Sequence, residues 1–203
     1  KGIFTHAGQV YGAKSLSEVK EVSRFESTIM AETAQAFAEV GTSPDVVSVG
    51  STPTMKVWQG HEAVNEIRPG NYIFHDAIQV SLGAATLDEC ALSIVATVIS
   101  RPDKERAILD GGSKAFGLDR GAHGKEMTSG FGLVLGKEAT LERLSEEHGI
   151  MTLDPTIDLD IGDRVRIIPN HACAVMNLFD RAYALRDGKI VEEFKIAARG
   201  KVH

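Results

Sequence analysis

The chain has little of what marks secreted, membrane-spanning or nucleic-acid-binding proteins. Its 203 residues hold two cysteines, Cys90 and Cys173, too few to staple a chain this long with disulfides. A reducing, cytoplasmic setting is the expectation from that scarcity. No apolar run reaches the roughly 20 residues that a bilayer-spanning helix needs, and no signal peptide opens the sequence. No block of lysine and arginine is present, and the net charge of −6 runs against a nucleic-acid surface. Internal repeats and low-complexity tracts are missing too. So is an initiator methionine: the abrupt start at Lys1-Gly2-Ile3-Phe4 is what is expected of a chain that begins inside a longer protein. What remains, 43% hydrophobic and 25% charged residues, is the composition of a globular protein with room for one domain or two small ones.

The first third of the chain alternates strand and helix signals. An apolar start ends in Thr5-His6-Ala7-Gly8, consistent with a buried strand running into a loop. Ser15 and Glu18 match a capping box, and Leu16, Val19, Val22, Phe25, Ile29, Ala36, Phe37 and Val40 keep helical spacing until Gly41. Residues 45–50 read as a second strand, 62–67 as a weaker helix and 71–75 as a third strand. Such a repeat belongs to a parallel sheet or barrel, but about 75 residues fall far short of the ~250 of a complete eight-stranded barrel. The expectation is therefore the last βα units of a barrel over residues 1–77, leaving Ile3, Phe4, Val46, Val47, Val49, Ile73 and Phe74 in need of cover.

Beyond residue 77 the pattern becomes antiparallel. Residues 90–100, 106–110, 131–135, 164–168, 172–179, 182–186 and 190–194 read as short strands of a β-rich domain over 78–203. Asp187-Gly188 is a two-residue hairpin signal, and 142–148 reads as a polar turn of helix.

Three segments carry candidate chemistry. Gly50-Ser51-Thr52 follows the second strand and Gly70-Asn71-Tyr72 precedes the third, so both offer glycines and polar donors of the kind that cradle a phosphate near the last strands of a barrel. Further on stands Pro169-Asn170-His171-Ala172-Cys173. If it is strand, His171 and Cys173 leave the same face, an imidazole beside a thiol, which suits zinc and leaves coordination positions open. A core histidine bonded to a carbonyl beside a buried cysteine also fits, and spacing alone favours that plainer arrangement.

The segment at 169–173, taken with Thr5-His6-Ala7-Gly8 and Tyr11, Arg68-Pro69-Gly70-Asn71-Tyr72-Ile73-Phe74, Asp110-Gly111-Gly112-Ser113-Lys114 and Ser145-Glu146-Glu147-His148-Gly149, resembles the D-threonine aldolase / D-serine dehydratase family. The resemblance implies the alanine-racemase-like fold: a barrel that binds pyridoxal 5'-phosphate, followed by a β-rich domain, and a homodimer. It implies that His171 and Cys173 hold a divalent metal, zinc or else manganese or magnesium. By the same resemblance Gly50, Ser51, Thr52, Gly70, Asn71 and Tyr72 seat the cofactor phosphate, with His6 and Tyr11 near the cofactor ring. The implied reaction is that of a lyase on a D-3-hydroxy amino acid: dehydration of D-serine type or aldol cleavage of D-threonine type. Cysteine at 173 points to dehydratase-like ligation, and the segment 68–74 has the look of bacterial aldolases. The family's cofactor-attaching lysine precedes everything present here, and Lys1, Lys14 and Lys56 lie in no matching segment. The opposite reading is a non-catalytic binding or dimerisation module. Finding an N-terminal polypeptide travelling with this one would decide against it.

Overall fold

The computed structural model describes residues 1–122 and 126–201. It divides into two compact units, one of Lys1–Ala91 and one running from Leu92.

In the first unit β1 (Gly2–Phe4), α1 (Leu16–Glu39), β2 (Val46–Val49), α2 (Thr52–Lys56), β3 (Glu66–Ile67) and α3 (Ala77–Ser81) follow in order. The three strands form a parallel sheet in the order β1-β2-β3, with Ile3 opposite Val47 and Val49 opposite Ile67. Side chains alternate across a strand, so Ile3, Val47 and Val49 point to one face, where Met30, Ala34, Met55, Trp58 and Val64 cover them. Burying Val47 and Val49 contributes roughly 1.5–3 kcal/mol each. Phe4 faces the other way and is 75% exposed. Thus the expectation that Phe4 is a buried strand residue does not hold within this chain, whereas Val47 and Val49 are buried by its own helix.

α1 starts where the capping box predicts: the Ser15 side chain accepts from the Glu18 N–H. Its buried face differs from the expected one. Of the eight apolar residues at helical spacing only Val19 is buried, and Phe25 and Val40 are 59% and 77% exposed. Val19, Ser23, Glu26, Ser27 and Met30 are the buried positions. At 100° per residue the stripe through Phe25, Ile29, Ala36 and Val40 lies on a flank of the helix, while polar side chains take the inner position.

Two further expectations are corrected here. Residues 62–67 form no helix; the short helix after β2 is α2, and Glu66–Ile67 is the third strand. The stretch 71–75 is not a strand but a 3-10 turn over Asn71–Ile73, and Ile73 is 55% exposed. Polar side chains that bond locally compete with strand pairing, and the Asn71 side chain donates to Asp76 at 2.6 Å.

The second unit carries β4 (Ile94–Asp103), β5 (Arg106–Leu109), α4 (Ser113–Phe116), β6 (Leu133–Val134), β7 (Ala139–Leu144), β8 (Gly149–Leu153), β9 (Arg164–Ile168), α5 (Ala172–Met176), β10 (Arg181–Arg186) and β11 (Lys189–Lys195). Six strands close into an antiparallel barrel, β4-β5-β8-β7-β6-β9, with β9 returning to β4 at Ile94 and Ile167. Closure leaves the barrel no edge, and Val98, Ala107, Leu109, Leu141, Met151, Val165 and Ile167 fill it. β10 and β11 form a separate hairpin, turned by Asp187 and Gly188 at φ 52° and 74° as the sequence signal predicts.

Residues 142–148, expected as helix, are the end of β7 and a turn in which the Ser145 N–H reaches the His148 carbonyl at 2.8 Å. Residues 172–179, expected as strand, contain α5 instead. Gly112 lies so close to that turn that a Cβ would sit 2.4 Å from the Glu146 carbonyl oxygen. This closeness explains the double glycine at 111–112, which docks α4 rather than cradling a phosphate. Among the described residues no helix is long and apolar enough to cross a membrane.

Candidate functional site

The two glycine turns of the first unit meet. The Asn71 N–H donates to the Thr52 hydroxyl at 2.8 Å, joining the segments 50–52 and 70–72 directly. His6 reaches the same place, its Nδ1 lying 3.1 Å from the Gly50 carbonyl oxygen. Tyr11 sits half-buried in the 3-10 turn Gly8–Gly12. Ser51 caps α2 in a capping box with Thr54. Gly50 has φ +140°, and a Cβ there would stand 2.8 Å from the Arg68 backbone nitrogen. Gly50→Ala is therefore expected to cost about 1–3 kcal/mol, the usual price of forcing a side chain into such backbone, as read by chemical denaturation. Gly70→Ala, with nothing within 4 Å of its Cβ, should change stability little.

The donors of these turns are already partly engaged. Gly50 N–H donates to Glu26, Ser51 N–H to the Thr54 hydroxyl, and Asn71 N–H to Thr52. A hydroxyl that accepts still keeps its own hydrogen, so Thr52 retains a donor, and Tyr72, the residue after Asn71, is exposed. A glycine whose Cβ position is filled by backbone, a free hydroxyl and an exposed phenol fit the phosphate end of pyridoxal phosphate.

In the second unit β9 runs into Pro169 and Asn170, and His171 takes the extended N-cap position of α5 at φ −133°, ψ 98°. Cys173 stands in the first turn of that helix. The expected common strand face is thus corrected: the pair is joined by a strand-to-helix turn, which keeps the thiol near enough to the ring to favour its charged form. Asp119 was not foreseen, because Leu118-Asp119-Arg120 carries no motif. Its Oδ2 lies 2.7 Å from His171 Nδ1. Asn170, 1% exposed, donates from Nδ2 to the carbonyls of Asp119 at 2.8 Å and Gly130 at 2.7 Å, tying the Asp119 loop beneath the histidine.

The hydrogen bond to Cys173 and then the Asp119 carboxylate push the His171 pKa up to about 9, partial burial working against both. Burial, together with Asp76 and Glu89, pushes Cys90 up to about 11, so it stays a thiol at neutral pH. Among the described residues no three His, Cys, Asp or Glu side chains converge as a ready metal cage. An imidazole and a thiol with a carboxylate behind the ring nonetheless fit a divalent ion held by few protein atoms, in the manner of an open catalytic site.

The family model described as "Putative serine dehydratase domain" matches residues 91–185. The chain is 34% identical over 204 residues to D-threo-3-hydroxyaspartate dehydratase of Delftia sp., covering 93% of this chain and 54% of that protein. An uncharacterised protein of Mycobacterium tuberculosis is 40% identical over 134 residues, 63% of this chain and 98% of its own length. The solved structure of the Delftia dehydratase superposes with a TM-score of 0.86 at 33% identity, over 96% of this chain and 55% of that one. The same dehydratase has been solved with a histidine and, two residues further on, a cysteine replaced by alanine, the cysteine variant in the metal-free form. D-threonine aldolase of Filomicrobium marinum gives a TM-score of 0.84 at 26% identity, over all of this chain and 53% of that one. At 18% identity and a TM-score of 0.57, alanine racemase of Bacillus anthracis shares the fold. The chain spans about half the length of the curated relatives that it matches over most of its own length.

Proposed function

Since the chain belongs to the D-threonine aldolase / D-serine dehydratase family, as its C-terminal portion, we propose that the parent protein is a pyridoxal-phosphate- and metal-dependent lyase of D-3-hydroxy amino acids. The observation that carries this is the His171–Cys173 pair backed by Asp119. When bound, pyridoxal phosphate supplies an electron sink at the substrate's Cα, and a divalent ion supplies Lewis acidity toward the β-hydroxyl. His171 and Cys173 are the ligands. Asp119 holds Nδ1, which leaves Nε2 of the ring for the ion and fixes the ring's orientation. The hydroxyl of Thr52 and the phenol of Tyr72 donate to the cofactor phosphate. His6, held on the Gly50 carbonyl, walls the cofactor ring together with Tyr11.

Dehydration is the reading we favour over aldol cleavage. A cysteine two residues after a histidine occurs in D-threo-3-hydroxyaspartate dehydratase, and the variant lacking that cysteine has been solved in a metal-free form. With no lysine in a matching segment, the chain on its own binds the cofactor non-covalently and is inactive. The preceding half of the protein, or failing that a second copy, covers the open face of the parallel sheet around Phe4. The test is product analysis with the complete polypeptide, pyridoxal phosphate and zinc. D-serine or D-threo-3-hydroxyaspartate should give a keto acid and ammonia. Glycine and an aldehyde from D-threonine would make it an aldolase, and neither product would refute the lyase assignment.

A further inference from the structure

Glu26 is buried, 4% exposed, on the face of α1 that meets the sheet, where an apolar side chain would be expected. One carboxyl oxygen accepts from the Gly50 N–H at 3.0 Å, and the other lies 3.3 Å from the Thr54 hydroxyl. Its neighbours extend the same contact. The Ser23 hydroxyl donates to the Thr54 carbonyl at 3.0 Å, and Ser27 donates to the Ser23 carbonyl while accepting from Trp58 Nε1 at 3.1 Å. Two polar residues at positions i and i+3, Ser23 and Glu26, therefore bind the back of one turn, while Ser27 at i+4 holds Trp58.

Burying a carboxyl against two neutral groups costs stability that an apolar residue would not cost. What the protein gains is a turn whose backbone is fixed from the helix side. Gly50 N–H, Ser51 N–H and Thr54 are all satisfied internally, while the Thr52 hydroxyl, which accepts from the Asn71 N–H, keeps its own hydrogen to donate. We infer that Glu26 is a positioning residue: it locks the turn 50–54 in the form that receives the cofactor phosphate. This rests on the cofactor assignment above.

The experiment compares binding of pyridoxal 5'-phosphate and of pyridoxal, which lacks the phosphate, to the 203-residue chain. Binding is followed by Trp58 fluorescence, together with amide hydrogen exchange at Gly50. The wild type should prefer the phosphorylated form. Glu26→Ala should weaken it about tenfold, the loss of roughly one buried hydrogen bond, leave pyridoxal unchanged and speed exchange at Gly50. Glu26→Gln, whose amide oxygen can still accept from Gly50, should recover most of the loss. A folded Glu26→Ala that binds as the wild type does and keeps Gly50 protected overturns the positioning role alone. A wild type that does not distinguish the two ligands refutes the cofactor assignment, and the inference falls with it. Should Glu26→Ala not fold, Glu26→Met keeps the buried volume while removing both carboxyl contacts. Weaker binding of the phosphorylated form alone then supports the inference, and unchanged binding overturns it.

Discussion

Replacing Cys173 by alanine should weaken zinc binding by roughly 100-fold or more, since loss of an outer partner alone typically costs 10–100-fold. His171→Ala should do the same. Asp119→Ala, which frees Nδ1 but leaves both ligands, should cost about 10–100-fold. Cys173→Asp exchanges a soft sulfur for a hard oxygen, so it should keep a site but shift its preference from zinc toward manganese or magnesium. Isothermal titration of the chain with each ion checks these ranks. The pH dependence has a definite sign. The His171 pKa lies at about 9 in the metal-free chain, above the usual 6.5, and a protonated ring cannot bind metal. Zinc affinity should therefore climb as pH rises from 6.5 toward 9. The metal-free chain behaves in the opposite way. The contacts of the charged ring stabilise it fully below 6.5, and that contribution fades as pH rises through 9. With 41% of the His171 side chain exposed, this contribution is modest.

Leu141→Ala should be the most damaging single truncation in the second unit, costing about 2–5 kcal/mol. Leu141 is fully buried in the closed barrel, opposite Met151 on the neighbouring strand, so no solvent or edge movement can fill the cavity. For a unit of this size that corresponds to a melting temperature lower by roughly 10–30 °C. Leu118→Ala, at a side chain 66% exposed, should stay within about 0.5 kcal/mol of the wild type. Differential scanning calorimetry separates the two, and equal melting temperatures would mean that the barrel is not the core of this unit.

Local chemistry makes parts of the fold legible in the sequence. Ser15 and Glu18 announced α1 because a capping side chain bonds within three residues, and Asp187-Gly188 announced the hairpin because its turn needs positive φ. The β-branched runs of β4 and β5 were legible for the same local reason. What failed was governed by distant partners. A register shift between Leu141 and Arg143 breaks the alternation that would have marked β7 as a strand, so the charged stretch after it looked helical. The apolar run after His171 looked like strand, yet the turn made by Asn170, anchored 51 and 40 residues away on Asp119 and Gly130, starts a helix there. Long-range contacts of this kind leave no spacing to read. Site residues followed the same rule. His171, Cys173 and the glycine turns sit in short motifs that the sequence alone can single out, whereas Asp119 and Glu26 act through contacts far along the chain and carry no such signal.

X-ray absorption at the zinc edge, on the chain loaded with one equivalent of zinc, is the most direct measurement of the central claim that His171 and Cys173 hold the metal. A first shell with one sulfur and one imidazole is predicted, the sulfur disappearing in Cys173→Ala and the imidazole in His171→Ala. A shell of oxygen alone, or a sulfur signal that survives the loss of Cys173, would contradict it.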